Sequence, residues 1–164
     1  MKGKLLNCSS LGDNMKIQLI RKNGDSYPLA TYHNLTEFVQ LGYEGLEHFR
    51  KYEFYKEDYK DKEENELHSD CYYFVFALLL DIAIKYDEHQ NDEIAQIHLR
   101  DCHSYWIKNF SYDHFLKMVV ALMFMLHHEM IGLPFKRANF GDDIIKVGQG
   151  YRLLFITDEK KEAA

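Results

Sequence analysis

The chain has 164 residues, of which 46% are hydrophobic and 28% charged, and its formal net charge is −6. This length fits one domain with a substantial core, and this composition excludes an intrinsically disordered chain. The negative net charge argues against a broad phosphate-binding face, and so against direct nucleic-acid binding. It suits a protein partner with a basic surface.

The cysteines and the apolar runs indicate the compartment. Cys8, Cys71 and Cys102 are an odd number at irregular spacing, which predicts a reducing environment rather than a disulfide framework. The N-terminus carries no apolar run of signal-peptide length. The longest uncharged apolar runs, 71–80 and 118–126, are well short of the roughly 20 residues that a membrane helix needs. We therefore expect a cytoplasmic protein without a membrane anchor.

The first predicted elements are a hairpin and a helix. Residues 1–14 are predicted as a loosely attached extension. The stretch "MKIQLIRKNGDSYPLATYH" has two β-rich runs around Asn23 and Gly24, a dipeptide typical of a type I′ turn. The next stretch, "HNLTEFVQLGYEGLEHF", has apolar residues at helical intervals, and we expect Gly42 and Gly45 to break this helix into short pieces.

A charge-dense segment with regularly spaced aromatic rings follows. Residues 47–66 keep these rings on one helical side and i,i+4 ion pairs on the others, which predicts a surface helix. Tyrosine is a common interface anchor, and carboxylates beside it suit a basic partner. The alternative is a solvated helix whose rings cover the domain's own core. The residues predicted to bind a partner are Tyr52, Tyr55, Glu57, Asp58, Tyr59 and Asp61.

Three further helices are predicted in the middle of the chain. Residues 66–86 are apolar on most sides, with a narrow polar stripe in which Asp81 forms an i,i+4 pair with Lys85. The last of the three begins at Ser111 or Asp113 and runs to about residue 131. Between them lies a helix over 92–109, and its residues predicted to face the core are Ile94, Ile97, Cys102, Tyr105 and Trp106.

The C-terminal segment predicts a second hairpin. The β-rich runs "IIKV" and "YRLLFIT" are joined by "GQG", and residues 158–164 are predicted as a frayed tail. Strands at both ends with helices between them predict an α+β fold. We expect one domain over residues 1–164, in which about four helices pack on a small antiparallel sheet formed by the N-terminal and C-terminal β-hairpins.

Two predicted helices each carry a histidine and a cysteine one turn apart: His68 with Cys71, and His98 with Cys102. This spacing lets both side chains of a pair point at one ion, so the four residues could close a tetrahedral zinc site. The alternative is that the cysteines are small core residues and that no cofactor is bound. Cys71 also falls in the first predicted turn of its helix, where the helix dipole would favour a nucleophilic thiolate.

For two other polar clusters in the sequence, a structural role is the preferred interpretation. Asp142 and Asp143 are adjacent acids that could bind Mg²⁺, although a turn before a strand accounts for them. His127 and His128 lie in the last predicted turn of a helix, and Gly132 is predicted as its left-handed C′ residue. Adjacent histidines point about 100° apart on a helix, so they are not expected to bind one ion.

No motif fixes a reaction, so two classes of function stay open, of which we favour the first. It is a small acidic protein-binding module that occludes a basic surface of a partner, such as a nucleic-acid-binding enzyme. The chain is rich in Lys, Asn, Ile, Tyr and Phe. This amino-acid usage is common in the AT-rich genomes of phages and mobile elements, which favours an inhibitor or accessory protein of the anti-defence or immunity kind. The alternative is a small metal-binding or cysteine-dependent enzyme that uses His68, Cys71, His98 and Cys102. A weaker third hypothesis, direct nucleic-acid binding, rests on a local basic patch: Lys136, Arg137, Lys146 and Arg152.

Overall fold

The computed structural model of this protein describes residues 14–52, 64–132 and 143–158, apart from the side chains of residues 52, 64–68, 105, 106, 157 and 158. Of the predicted extension (1–14) and the predicted tail (158–164), this part includes only Asn14 and Asp158, which belong to paired strands rather than to loose ends. In chain order, the described elements are β1 (Asn14–Ile20), β2 (Ser26–Tyr32), α1 (Leu35–Tyr52), α2 (Glu64–His89), α3 (Asp92–Cys102), α4 (Ser104–Ile107), α5 (Tyr112–His127), β3 (Asp143–Gly148) and β4 (Tyr151–Asp158).

The four strands form one antiparallel sheet in the order β2-β1-β4-β3. Each hairpin contributes two neighbouring strands. The first and last strands pair with each other, from Asn14 opposite Asp158 to Ile20 opposite Arg152. The helices cover one side of this sheet. The structure thus confirms the predicted α+β fold, with both terminal hairpins in a single sheet.

The two faces of the sheet differ in burial. On β1, Met15, Ile17 and Leu19 are each 1% exposed, whereas the residues between them are exposed or half-buried. On β4 the residues at 151, 153 and 155 are buried in the same way. Because side chains alternate along a strand, the β1–β4 register puts both apolar sets on the side of the helices.

The two hairpin turns have different backbones. In the first, the N–H of Gly24 donates to the carbonyl oxygen of Arg21 (2.9 Å), and Gly24 alone has a positive φ (96°) in this turn. The predicted type I′ turn needs positive φ at Asn23 as well, so that prediction is wrong. The type I′ backbone occurs in the second hairpin, where Gln149 and Gly150 have φ of 52° and 89°.

α5 is the central helix of the domain. Twelve of its sixteen residues are buried, including every residue from 118 to 126. Phe124 contacts Phe38 of α1 with ring centroids 5.4 Å apart, and Phe155 of β4 at 4.9 Å. A helix that is apolar on all sides must be covered on all sides, and here the sheet, α1 and α2 cover it. Within residues 14–52, 64–132 and 143–158, no helix has the length and hydropathy to cross a membrane.

α1 lies against α5 through two glycines. The helix runs without a break from Leu35 to Tyr52, so the predicted interruption at Gly42 and Gly45 is wrong. A Cβ atom on Gly42 would overlap Sδ of Met125, and one on Gly45 would lie 3.1 Å from the carbonyl oxygen of Met118. The missing side chains let the two helix backbones approach closely, and this packing offsets the low helix propensity of glycine.

α5 ends earlier than predicted, at His127 rather than near residue 131. The N–H of Met130 donates to the carbonyl oxygen of Met125 (2.8 Å), and the N–H of Glu129 donates to the carbonyl three residues before it (3.1 Å). These two bonds form a Schellman motif, in which the left-handed residue is Glu129 (φ = 55°). The prediction that Gly132 is the C′ residue is therefore wrong, although Gly132 also has positive φ (83°).

α3 turns a different side to the core from the one predicted. Its buried residues are Ala95 and Leu99, whereas Ile94 is 43% exposed and Ile97 is 58% exposed. Cys102 is exposed as well. The prediction that Ile94, Ile97 and Cys102 face the core is wrong. The narrow side of α3 formed by Ala95 and Leu99 is the one that packs on α2. Two side chains with the same prediction lie outside the described part of the chain: Tyr105 and Trp106.

Replacing Gly42 by alanine tests the close approach of α1 and α5. Alanine favours a helix by about 1 kcal/mol over glycine, but its Cβ would overlap Sδ of Met125, and overpacking costs about 1–3 kcal/mol. We expect Gly42→Ala to lower the free energy of unfolding measured by urea denaturation. In a Met125→Ala background the same change should raise it by about 1 kcal/mol. Equal effects in both backgrounds would contradict the packing role of Gly42.

Replacing Glu129 by glycine tests the end of α5. A side chain in the left-handed region costs roughly 1–2 kcal/mol that glycine avoids, so Glu129→Gly should raise the midpoint of thermal unfolding by about 2–8 °C. The matched control is Glu47→Gly at an exposed position inside α1, where glycine should lower the midpoint. A fall of similar size in both variants would show that Glu129 is not strained.

Candidate functional site

The predicted partner face lies almost wholly outside the described residues. The side chain of Tyr52 is not described, and neither are five other members of the set: Tyr55, Glu57, Asp58, Tyr59 and Asp61. Phe49, which belongs to the same aromatic pattern, is 2% exposed and lies against Phe74 of α2 with ring centroids 5.2 Å apart. This ring covers the domain's own core, while the six partner-binding residues stay a prediction.

Cys71 lies in the core. Its side chain is fully buried, and it is the eighth residue of α2, which begins at Glu64, rather than a residue of the first turn. Burial raises the pKa of the Cys71 thiol to about 12, against a smaller lowering effect of the Arg50 guanidinium. A nucleophilic or metal-binding thiolate needs the opposite shift. The described surroundings therefore do not activate Cys71.

The other cysteine–histidine pair lies on a different part of the surface. His98 and Cys102 are exposed on α3. The end of α3 meets α2 at Asp81, ten residues from Cys71, which is about 15 Å along the helix axis. The structure does not bring Cys71 and Cys102 together. Among the described side chains, which do not include His68, no three His, Cys, Asp or Glu are placed to hold one metal ion.

Asp81 joins α2 to the end of α3. Its Oδ2 lies 2.7 Å from Nε2 of His103, and both side chains are partly buried. The predicted pair of Asp81 with Lys85 is wrong, because Nζ of Lys85 lies 3.5 Å from a carboxylate oxygen of Glu88 instead. A carboxylate that orients an imidazole is half of a hydrolytic triad. In the part of the chain that the structure describes, however, no hydroxyl or thiol is hydrogen-bonded to His103.

The two histidines at the end of α5 face different partners. Nδ1 of His127 lies 3.1 Å from the hydroxyl of Tyr72, and Nε2 of His128 lies 2.5 Å from Oδ2 of Asp143. Burial, together with the neighbouring His128, lowers the pKa of His127. These contacts tie α5 to α2 and β3, so structural roles account for both rings and for Asp143. Its predicted companion as a Mg²⁺ ligand, Asp142, lies outside the described residues.

An open polar groove lies between α1 and the start of α5. Glu44 Oε1 and His114 Nε2 face each other 2.8 Å apart, with both side chains more than a third exposed. A depression of about 450 Å³ beside them is lined in part by His48 and Phe110. The hydroxyl of Ser111 also faces the groove, but it accepts the N–H of His114 (3.1 Å) as the cap of α5. Within the described residues, the groove therefore offers charge without an activated nucleophile.

The most exposed aliphatic side chains of the described helices lie together on α3. Ile94 and Ile97 are 43% and 58% exposed, and neither belongs to the buried core cluster. At about 100° per residue, His98 and Asp101 lie on the same side of the helix. We call these four residues the α3 stripe.

α3 is held along its inner side and at both ends. Ala95 and Leu99 are completely buried. At the start of the helix, Oδ1 of Asn91 accepts the N–H of Ile94 (3.1 Å). Beyond the last turn, His103 is held by its 2.7 Å contact with α2. The α3 stripe is therefore presented on a fixed helix rather than on a loop.

The sequence does not reveal the α3 stripe, because α3 has apolar pairs on two sides. Ile94 with Ile97 is the larger pair, and large aliphatic side chains are the ones most often buried. Hydropathy therefore favours the wrong side. The signal that points to the right side is the small Ala95, one turn before Leu99, since a small residue allows close contact between helices.

No family model matches the chain, and no curated protein or solved structure is significantly similar to it. The described surfaces and their chemistry are therefore what supports a function.

Thiol labelling tests the placement of Cys71. Because burial raises the pKa of its thiol to about 12 and shields the sulfur, Cys71 should resist iodoacetamide in the native protein, whereas Cys102 on α3 should react. Mass spectrometry of the digested protein reports each cysteine separately. In denaturant the two should react at similar rates. Fast labelling of Cys71 in the native protein would contradict its burial.

Proposed function

We propose that this protein is a non-enzymatic protein-binding module and that the α3 stripe docks on its partner. The observation that carries the proposal is the exposure of Ile94 and Ile97 on a helix that is otherwise anchored to the core. Apolar surface in water is unfavourable by about 25 cal/mol per Å², and burial in an interface removes this cost. Because α3 is already fixed in place, little conformational entropy is lost on docking.

The charge around the α3 stripe favours a basic partner surface. Glu93 and Asp101 are exposed and each lies four residues from Ile97, so their carboxylates flank the two isoleucines. The positive charge of α3, Arg100, lies over the ring of Tyr112 at 5.9 Å and so points toward the body of the domain. An apolar centre with an acidic rim complements a basic surface that has an apolar patch. The net charge of −6 also favours encounter with such a partner.

A nucleic-acid-binding enzyme of the cytoplasm is the partner class that fits best, because surfaces that bind phosphates are basic. Docking of the α3 stripe on such a surface would occlude it, and the bound enzyme would lose access to its nucleic acid. An inhibitor or accessory protein of phage or mobile-element type, with an anti-defence or immunity role, acts by this mechanism. The mechanism needs no catalytic group or metal ion on this chain.

Affinity capture from the native host with paired variants tests the proposal. The first variant, Ile94→Ser with Ile97→Ser, removes the apolar centre, and the second, Glu93→Lys with Asp101→Lys, reverses the charge. We expect each to reduce the recovered partner by about tenfold or more, as loss of interface hot spots does. The matched control is Tyr73→Ser, which removes a 69% exposed ring from α2 and should leave capture unchanged.

Circular dichroism and thermal unfolding of each variant separate loss of docking from loss of folding. Capture that is unchanged in both stripe variants but lost in Tyr73→Ser would contradict the α3 stripe as the docking surface. A parallel variant addresses the face predicted from sequence, with Tyr55→Ala, Tyr59→Ala and charge reversal at Glu57, Asp58 and Asp61. If only this variant loses the partner, the module binds through that face and not through α3.

A further inference from the structure

The solvent-facing side of the sheet carries aliphatic residues at its centre. Ile20, Leu154 and Ile156 are half-buried, Ile144 is 47% exposed, and none of them packs against the core. Leu154 lies opposite Ile144 on β3 and opposite Gln18 on β1. We call the outward-facing residues of the four strands the outer sheet face.

This pattern is not that of a sheet with one solvated side. Antiparallel sheets that face water on one side alternate apolar inward with polar outward residues, whereas strands covered on both sides read as continuous apolar runs. The runs "IIKV" in β3 and "RLLFI" in β4 resemble those of strands that are covered on both sides. The β3 and β4 half of the outer sheet face therefore has the composition of a covered surface, although the described residues leave it open, whereas the outward residues of β1 and β2 are mostly polar.

Two cations lie directly opposite each other on this face. Lys146 of β3 pairs with Arg152 of β4, and the flanking residues of both strands point inward and are buried. Like charges at opposite positions destabilise a sheet. Beside this pair, the described outward side chains of β3 and β4 are aliphatic, so an apolar band has two cations along one side of it.

We infer that the outer sheet face is a second interaction surface and that its occupant is an acidic amphipathic helix of a partner protein. The apolar side of such a helix covers Ile144, Leu154 and Ile156, and carboxylates along one edge of the helix reach Lys146 and Arg152. A helix that lies across the strands is about 10–12 Å wide, which is about three residues along each strand, and the four strands span about 14 Å of its length, so one helix covers the band. The charge of this surface is opposite to that of the α3 stripe, and the inference does not depend on the function proposed for α3.

Two other occupants fit the outer sheet face less well. Single-stranded nucleic acid is held by aromatic rings that stack on bases, and the described outward positions of the strands carry no aromatic side chain. A second copy that docked through the same face would set two surfaces of the same charge against each other, because a two-fold interface uses the same patch of both copies. An acidic helix satisfies both the aliphatic residues and the cations.

Binding of synthetic helices by fluorescence anisotropy tests the inference. The probes are a labelled amphipathic peptide of leucine and glutamate, about 18 residues or 27 Å long as a helix, and the same peptide with lysine in place of glutamate. We expect saturable binding of the acidic peptide alone. Arg152→Glu and Ile144→Ser should each weaken it by about tenfold. Lys108→Glu, the same charge reversal at an exposed position away from the sheet, should change it by less than about twofold.

Other outcomes overturn the inference. They are the absence of saturable binding of the acidic peptide, equal binding of the lysine peptide, or equal loss with Lys108→Glu. Tighter binding of a labelled single-stranded DNA that Arg152→Glu abolishes and Ile144→Ser leaves intact would also overturn it, since the face would then be a phosphate-binding surface. If Arg152→Glu fails to fold, Lys146→Gln supplies the charge test without a new acid in the sheet. Because Glu93 and Asp101 are intact in all these variants, failure here leaves the α3 proposal untouched.

Discussion

The burial of α5 on every side is the constraint on which the rest of the domain depends. The sheet reaches α5 through Phe155, α1 reaches it through its glycine side, and α2 closes the remaining flank. The hydroxyl of Tyr32 on β2 donates to the carbonyl oxygen of Lys117 (2.7 Å), which ties the first hairpin to the same helix. Covering α5 requires strands from both ends of the chain in one sheet, and β1 and β4 therefore pair at its centre.

Some apolar residues lie outside the core that surrounds α5. They form two surfaces, the α3 stripe with carboxylates beside it and the outer sheet face with two cations along one side. Neither surface is part of the hydrophobic core, since none of its described residues belongs to the buried cluster. Two exposed apolar surfaces of opposite charge on one small domain suit a protein that acts by binding others, and their opposite charge allows two partners to be bound at once.

The sequence predicts the architecture well and the surfaces poorly. Periodicity and the two terminal β-rich runs are enough for the α+β fold, because alternation and length are local signals. The roles of Gly42 and Gly45 are not predictable in this way, since a glycine that breaks a helix and one that admits a neighbouring helix look the same in sequence. Glu129 ends α5 without the glycine that usually marks such an end. For α3, both apolar sides satisfy the helical period, and only the packing on α2 decides between them.

The most direct test of this account is the free energy of unfolding of a variant in which the surplus apolar residues become polar. Such a variant carries Ile94→Gln, Ile97→Gln, Ile144→Thr and Leu154→Thr. If these residues serve partners rather than the fold, urea denaturation should give a free energy of unfolding within about 1 kcal/mol of that of the unchanged protein. Phe124→Ala, at the centre of α5, should lower it by about 3–5 kcal/mol. A loss in the four-residue variant as large as that of Phe124→Ala would contradict the account, because those side chains would then belong to the core.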